Sequence, residues 1–455
     1  MSKIKEKVMD PKKLSLLTVT WPIFLEMLML MLLGNVDVLM LSQYSDDAVA
    51  AVGVSNQLLG MSITMFGFVS AGAAVIISQY IGAKKTEDAK RVSLVAILSA
   101  LVFGLIVSIG FVLFRFPLLR LILSEAYLLP WASTMVLIVG GFIFIQAILL
   151  TAGAILRSYG YTRDMLFVTF IMNIFNALGN VLVIFGLFGL PVFGVPGVAV
   201  VTAFSKFLGL SIAFYLLNKR IPGIFKSISR KAKFPFHYIK SILKIGIPAA
   251  GEGLSFQGYQ MVMISLIGTL GTTAVTTKIY TRSINFFIIL SAISIANGSA
   301  IIIGQLMGAK EYDEIYKRCL RYLRYSIIAS GVGAILLFLF YRPILGLFTN
   351  NEEIFEIASI LFFLGIILEP GRAFNITLIM GGLRATGDVK FPVYMGIIFQ
   401  WGVGVFLGYL FGIVFGWGLI GIMVAALLDE WIRGIIMLFR WRSRVWQKMS
   451  VVIET

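Results

Sequence analysis

The chain has 455 residues, of which 59% are hydrophobic and only 13% charged, against about 25% charged for an ordinary soluble domain. That balance excludes a water-soluble globule, and a mean hydropathy of +0.95 points to the bilayer as solvent. The net charge of +16 would indicate nucleic acid in a soluble chain. Here the basic residues fall between apolar runs, so the membrane accounts for them and no nucleic-acid partner is expected.

In chain order, the charged stretch 1–13 precedes an apolar run too long for a signal-peptide core, so it reads as a retained tail before a first span. The apolar runs lack strand-like alternation, so they read as helices rather than barrel strands. Twelve spans are predicted, at 14–41, 48–80, 92–114, 130–156, 164–186, 194–217, 239–267, 274–306, 319–340, 354–383, 391–412 and 417–439. Several exceed 25 residues, which implies tilt or ends that project beyond the lipid. Alternate inter-span segments hold thirty Lys and Arg on one side against three on the other, Arg115, Arg120 and Arg342. Both termini are therefore expected in the cytoplasm, with an even number of spans. The single cysteine, Cys319, excludes an intramolecular disulfide and is expected in a basic, reducing cytoplasmic loop.

The two halves repeat. At an offset of 226, Pro22 falls on Pro248, Glu26 on Glu252, Ala48 on Ala274 and Gly72 on Gly298. Gln79-Tyr-Ile-Gly82-Ala83-Lys84 falls likewise on Gln305-Leu-Met-Gly308-Ala309-Lys310. At 227, Leu156-Arg157 meets Leu383-Arg384 and Gly160 meets Gly387. The expected architecture is therefore all-α integral membrane, with twelve transmembrane helices in two pseudo-symmetric six-helix bundles around a central cleft. Both halves begin on the same side, so the repeat is parallel. The lobes are placed at 1–218 and 241–455, joined by a cytoplasmic linker at 219–240.

Against so apolar a background, polar residues inside spans carry information, because a charge in hydrocarbon is costly. Asp37 lies about 7 Å from the outer end of the first span. Asn176 and Asn180 share one face of the fifth, about 15 and 9 Å from its outer end, and Thr202 lies about 12 Å into the sixth. One carboxylate beside amide and hydroxyl oxygens suits Na⁺ by analogy with hard-cation ligation; the same carboxylate, partly desolvated, suits H⁺. The amides and hydroxyl also fit a plain helix-joining role. The repeat-equivalent positions hold Met263, Gly402, Phe406 and Ala426, so the cluster belongs to one half, whereas a scaffold role would recur in both. Glu26, Glu252, Gln257, Lys278, Arg282, Glu369 and Arg372 are weaker candidates for a substrate cleft. Such carboxylates would attract cations, and the 19 Met and 37 Phe would supply adaptable walls. The same charges also fit simple helix pairing. Lys206, Asp429 and Glu430 are further charges within spans. His237, the only histidine, is expected in solvent. There is no HExxH motif, paired-cysteine cluster or phosphate-cradling GxxxxGK[ST], so neither an enzyme nor a cofactor is expected, and an ion gradient would supply the work.

These residues resemble the multidrug and toxic compound extrusion (MATE) transporters, over the whole chain. The likeness rests on Gly34-Asn-Val-Asp37, on Gln79…Gly82-Ala-Lys84 and its echo, on Asn176…Asn180, and on Gly197-Val-Ala-Val-Val-Thr202. Glu369-Pro-Gly-Arg372 and Leu383-Arg384-Ala-Thr-Gly-Asp388 look like a prokaryotic branch. The resemblance implies a plasma-membrane exporter of cationic or amphipathic small molecules in antiport with Na⁺ or H⁺. It also implies that Asp37, Asn176, Asn180 and Thr202 match the family's N-lobe cation site. A flippase for lipid-linked precursors is the alternative, and a monomer is expected. One departure is that acidic positions of the C-lobe in some members hold Phe256 and Ala373 here, with Glu252 and Glu369 one turn away.

Overall fold

The computed structural model describes residues 12, 14–123, 125–189, 191–227 and 235–452. Most of the predicted N-terminal tail and the middle of the 219–240 linker lie outside the described residues. The described chain is helical. It forms α1 (Leu16–Ser42), α2 (Asp46–Gly82), α3 (Thr86–Arg120), α4 (Leu129–Met135), α5 (Ile143–Ser158), α6 (Thr162–Phe185), α7 (Gly194–Arg220) and α8 (Phe236–Gly268). After these come α9 (Thr272–Gly308), α10 (Tyr312–Leu339), α11 (Tyr341–Leu345), α12 (Glu352–Leu378), α13 (Arg384–Thr386), α14 (Lys390–Phe399), α15 (Phe406–Tyr409) and α16 (Gly418–Arg442).

Local chemistry sets the ends. Ser45 caps α2 by accepting from the Ala48 amide at 3.4 Å, with Asp46 and Asp47 in the first turn. Asn351 caps α12 by accepting from the Glu353 amide at 3.0 Å, ahead of Glu352 and Glu353. In both, a side-chain oxygen satisfies an orphan amide and carboxylates meet the positive end of the helix dipole. Two repeat-related turns are built alike. After α2, Lys84 sits at φ 59° and Lys85 N–H donates to the Tyr80 carbonyl at 3.0 Å; after α9, Lys310 sits at φ 60° and Glu311 N–H donates to Leu306 at 3.1 Å. Gly160 (φ 87°) and Gly387 (φ 100°) close α5 and α13 in the left-handed region that glycine enters freely.

Packing follows two faces of each helix. On α3, Val102, Ile106, Ile109 and Leu113 are all more than half exposed, a lipid-facing stripe at helical spacing. The opposite face, Ser93, Ala96, Ala100, Gly104 and Ser108, is buried. At Gly104 a methyl group would stand 2.8 Å from the Phe144 Cα, so the small residue is what admits α5. Close approach of this kind, with hydroxyls bonded to backbone, holds helices together where no hydrophobic force acts between them. Examples are Ser108 Oγ accepting from Phe144 N–H at 3.2 Å and Ser299 Oγ donating to the Gly381 carbonyl at 3.0 Å.

Two compact units result. One holds Leu25–Ile247 and the other Pro248–Thr455 with the stretch ending at Phe24. The divisions fall inside α1 and α8, beside the repeat-related Pro22 and Pro248. Within the first unit α2, α3 and α5 pack mutually and α6 lies on α7; within the second α9, α10 and α12 pack mutually and α16 lies on α12. Tyr238, at the start of α8, is buried in the first unit, donating to Asp88 Oδ1 at 2.9 Å.

Nine described helices are long and apolar enough to cross a membrane, or ten if the bent pair 126–140 and 143–158 counts as one span. α8 and α16 are long enough at 33 and 25 residues, but Glu252, Gln257 and Gln260 dilute the first and Asp429, Glu430 and Arg433 the second. The predicted fourth span, 130–156, is not straight. A π-helical segment at Val136–Gly140 precedes a 45° bend, at the Gly140-Gly141 pair where side chains cannot brace the turn. The predicted tenth and eleventh spans also carry π segments, at Ile379–Leu383, Gln400–Val405 and Leu410–Val414. Cys319 is not in a loop. It is fully buried in α10, against Gly382, because that helix begins seven residues earlier than the predicted span.

Candidate functional site

Three helices of the first unit converge at Asp37. From α6, Asn180 Nδ2 donates to Asp37 Oδ1 on α1 at 2.9 Å and to Asn176 Oδ1 at 3.3 Å. Asn176 Nδ2 in turn donates to Thr202 Oγ1 on α7 at 3.5 Å. The four predicted residues thus form one chain of hydrogen bonds, α1 to α6 to α7. Asn176 and Asn180 are buried, one turn apart on the face of α6 turned to its neighbours. Asn173 continues that face and donates to the Met29 carbonyl on α1 at 3.2 Å, a contact the sequence reading missed although its i, i+3, i+7 spacing was visible. Asn180 Oδ1 is buried without a hydrogen-bond partner, which leaves an acceptor beside the carboxylate. Lys206, one turn beyond Thr202 on α7, lies within electrostatic reach of Asp37.

The corresponding positions of the second unit are apolar. Met263 is buried with Tyr259, Ile267, Leu361, Leu368, Leu419, Ile422 and Met423, and Ala426 packs against them. The repeat therefore preserves the packing position and not the polar chemistry.

The remaining candidates are not gathered into one place. In the first unit Arg157 donates to both oxygens of Glu26, at 2.9 and 3.2 Å. In the second, Arg384 pairs with Glu252. These are the same pair twice, since both members repeat at the offsets read from the sequence. The second unit also holds a larger network. Arg372 donates to Glu369 at 2.8 Å and approaches Glu430 at 3.6 Å; Arg433 bonds Asp429 at 3.2 Å and Glu430 at 2.8 Å; Asn375 donates to Glu430 Oε2 at 2.7 Å. Glu369 is 1% exposed, a carboxylate held in the protein interior by its guanidinium, as buried charges require. Lys278 reaches Met423 Sδ at 3.1 Å, and Arg282 is exposed. Gln257 is exposed and makes no hydrogen bond among the described residues. Arg433, Asn375 and the arginine partners of Glu26 and Glu252 were absent from the predicted site. The repeated Leu-Arg dipeptide was the signal that pointed to the latter pair.

A polytopic helical protein with twelve transmembrane helices in two bundles, and a hydrogen-bonded polar cluster buried in one of them, has the architecture of a two-lobed membrane transporter. The MatE family model matches residues 22–182 and again 248–410, beginning each time at the repeated proline, and the chain belongs to that family. It is therefore a transporter and not an enzyme. It is 47% identical over 438 residues to the uncharacterized transporter YisQ of Bacillus subtilis (strain 168), covering 96% of this chain and 95% of that one. It is 26% identical over 455 residues to the probable multidrug resistance protein NorM of Thermotoga maritima, covering 98% and 96%. Among solved structures, a MATE protein in the bent conformation matches with a TM-score of 0.89 at 18% identity, over 99% of this chain and all of that one.

Proposed function

We propose that the chain exports cationic or amphipathic small molecules across the plasma membrane in exchange for Na⁺ or H⁺, with Asp37 as the seat of the exchanged ion. It works as a monomer with both termini in the cytoplasm, its lobes at 1–218 and 241–455 joined by the 219–240 linker. The observation that carries this reading is the Asp37–Asn180–Asn176–Thr202 chain, set against the apolar region at the equivalent place of the second unit. A carboxylate placed in hydrocarbon with neutral donors on one side only is costly, and an ion-binding role accounts for its retention. The relatives named as probable multidrug resistance proteins support the substrate class. The test is efflux of a fluorescent cationic dye from proteoliposomes under an imposed Na⁺ or proton gradient. Asp37→Asn is expected to slow gradient-driven efflux at least tenfold without lowering the melting temperature. Efflux at the unmodified rate in that variant would remove Asp37 from the mechanism.

A further inference from the structure

Three carboxylates and two guanidiniums meet in the second unit, on α12 and α16. Each arginine has a nearer acid: Arg372 reaches Glu369 at 2.8 Å and Arg433 reaches Glu430 at 2.8 Å. Asp429 is the acid left over, held by Arg433 Nη2 alone at 3.2 Å. Its other oxygen, Oδ1, is buried without a hydrogen-bond partner, and so is Arg433 Nε. The two-pronged contact by which an arginine holds a carboxylate ionised is therefore not made. The five side chains sum to one negative charge. Lys278, on α9, acts on Glu369 at a distance, but its ammonium turns to Met423 Sδ at 3.1 Å and makes no ion pair among the described residues. Glu252 is matched by Arg384. The charged groups facing Asp429 are Arg433, Glu430 and Arg372, with Tyr259 of α8 beside them. Asp429 stands roughly 17 Å from the first residue of α16 and about 20 Å from its last. An ionised acid so far from either membrane surface, and only half engaged, is costly.

We propose that Asp429 is a proton-binding site of the second unit, separate from Asp37, with the proton on Oδ1. The five side chains then reach neutrality: Glu369 serves Arg372, Glu430 serves Arg433, and Asp429 becomes a neutral acid. A proton is the ligand that fits. Asp429 is 4% exposed, which leaves no approach for an organic cation. Asp429 Oδ1 and Asn375 Oδ1 are the unpartnered oxygens of the network among the described residues, too few for a hard cation, which takes about six. No group of three or more acidic, histidine or cysteine side chains among the described residues could hold a metal ion. The repeat agrees. At the offset that puts Thr202 on Ala426, Asp429 and Arg433 fall on Ser205 and Gly209. The acid belongs to the second half alone, whereas a scaffold contact would recur in both. The proposal stands whichever ion Asp37 holds.

The experiment is infrared difference spectroscopy of the purified full-length protein between about pH 10 and pH 6, where exposed carboxylates stay ionised. It follows the C=O band of protonated carboxyl groups. Asp37→Asn serves as the reference, so that the first unit's acid does not contribute. A band is expected in that reference. Adding Asp429→Asn should abolish it, and adding Asp429→Glu should keep it at a displaced frequency. The Glu variant keeps the test in force where the Asn variant does not fold. A band that survives Asp429→Asn, a band unmoved by Asp429→Glu, or no band with Asp429 intact would overturn the proposal. So would a saturable loss of the band when Na⁺ replaces choline at fixed pH, since the site would then take the metal ion. The function reading fails separately, through dye efflux that ignores Asp37→Asn.

Discussion

At the scale of single residues, the paired charges carry the clearest energetic consequence. Glu26 is 5% exposed, and Arg157 is its guanidinium partner. Removing one member of a buried pair strands the other, at about 3–5 kcal/mol. Arg157→Ala is therefore expected to lower the melting temperature in detergent sharply, and adding Glu26→Gln should restore part of the loss, because the stranded charge is then gone. Equal damage in the single and double variants would show that the pair is not what holds α1 to α5. The offsets of 226 and 227 were legible as a repeat. That the repeated Glu and Arg touch was not, since sequence spacing places residues on helices and only packing decides which helices meet. Asp37 and its three partners were found because a carboxylate among apolar neighbours stands out. Lys206 lies within a span too, but which groups its charge meets depends on the rotation of α7.

At the scale of elements, backbone conformation explains which repeated residues tolerate change. Gly387 sits at φ 100°, where an added methyl group would also press on the Met449 carbonyl. Gly387→Ala is expected to cost about 1–3 kcal/mol from strain alone, read as a lower unfolding midpoint. Lys84 occupies the same region at φ 59° despite carrying a side chain. Lys84→Gly should leave stability unchanged or raise it by up to ~1 kcal/mol, and a marked loss would mean that the lysine head group matters more than its backbone. The bent fourth span shows the opposite limit. Hydropathy gives an unbroken run over 130–156, because Gly140 and Gly141 barely interrupt it, whereas the backbone yields there for want of side-chain bracing.

At the scale of the whole molecule, charge orients the chain. Thirty basic residues on one side against three on the other favour retention of the basic side in the cytoplasm. A fluorescent protein fused after Thr455 is expected to glow, and a phosphatase inserted at 121–128 to be active outside. The reverse pattern would refute the assignment. Hydropathy alone under-reads this molecule, since α8 and α16 carry charged residues that pair within the second unit, Glu252 with Arg384 and Asp429 and Glu430 with Arg433, and so score as less apolar than lipid-facing helices.

The sequence by itself determined the class, most of the helical spans, the twofold repeat and the grouping of Asp37 with Asn176, Asn180 and Thr202 in one half. These follow from composition, period and position along a helix, all of which are local properties of the chain. Only the tertiary structure decided that Asn180 bridges Asp37 to Asn176, that Glu26 and Glu252 are bound to Arg157 and Arg384, and that the second unit's equivalent region is closed by Met263 and its neighbours. Such outcomes depend on which faces of separate helices are pressed together, and that is set by small-residue packing and charge compensation across the bundle rather than by any one segment.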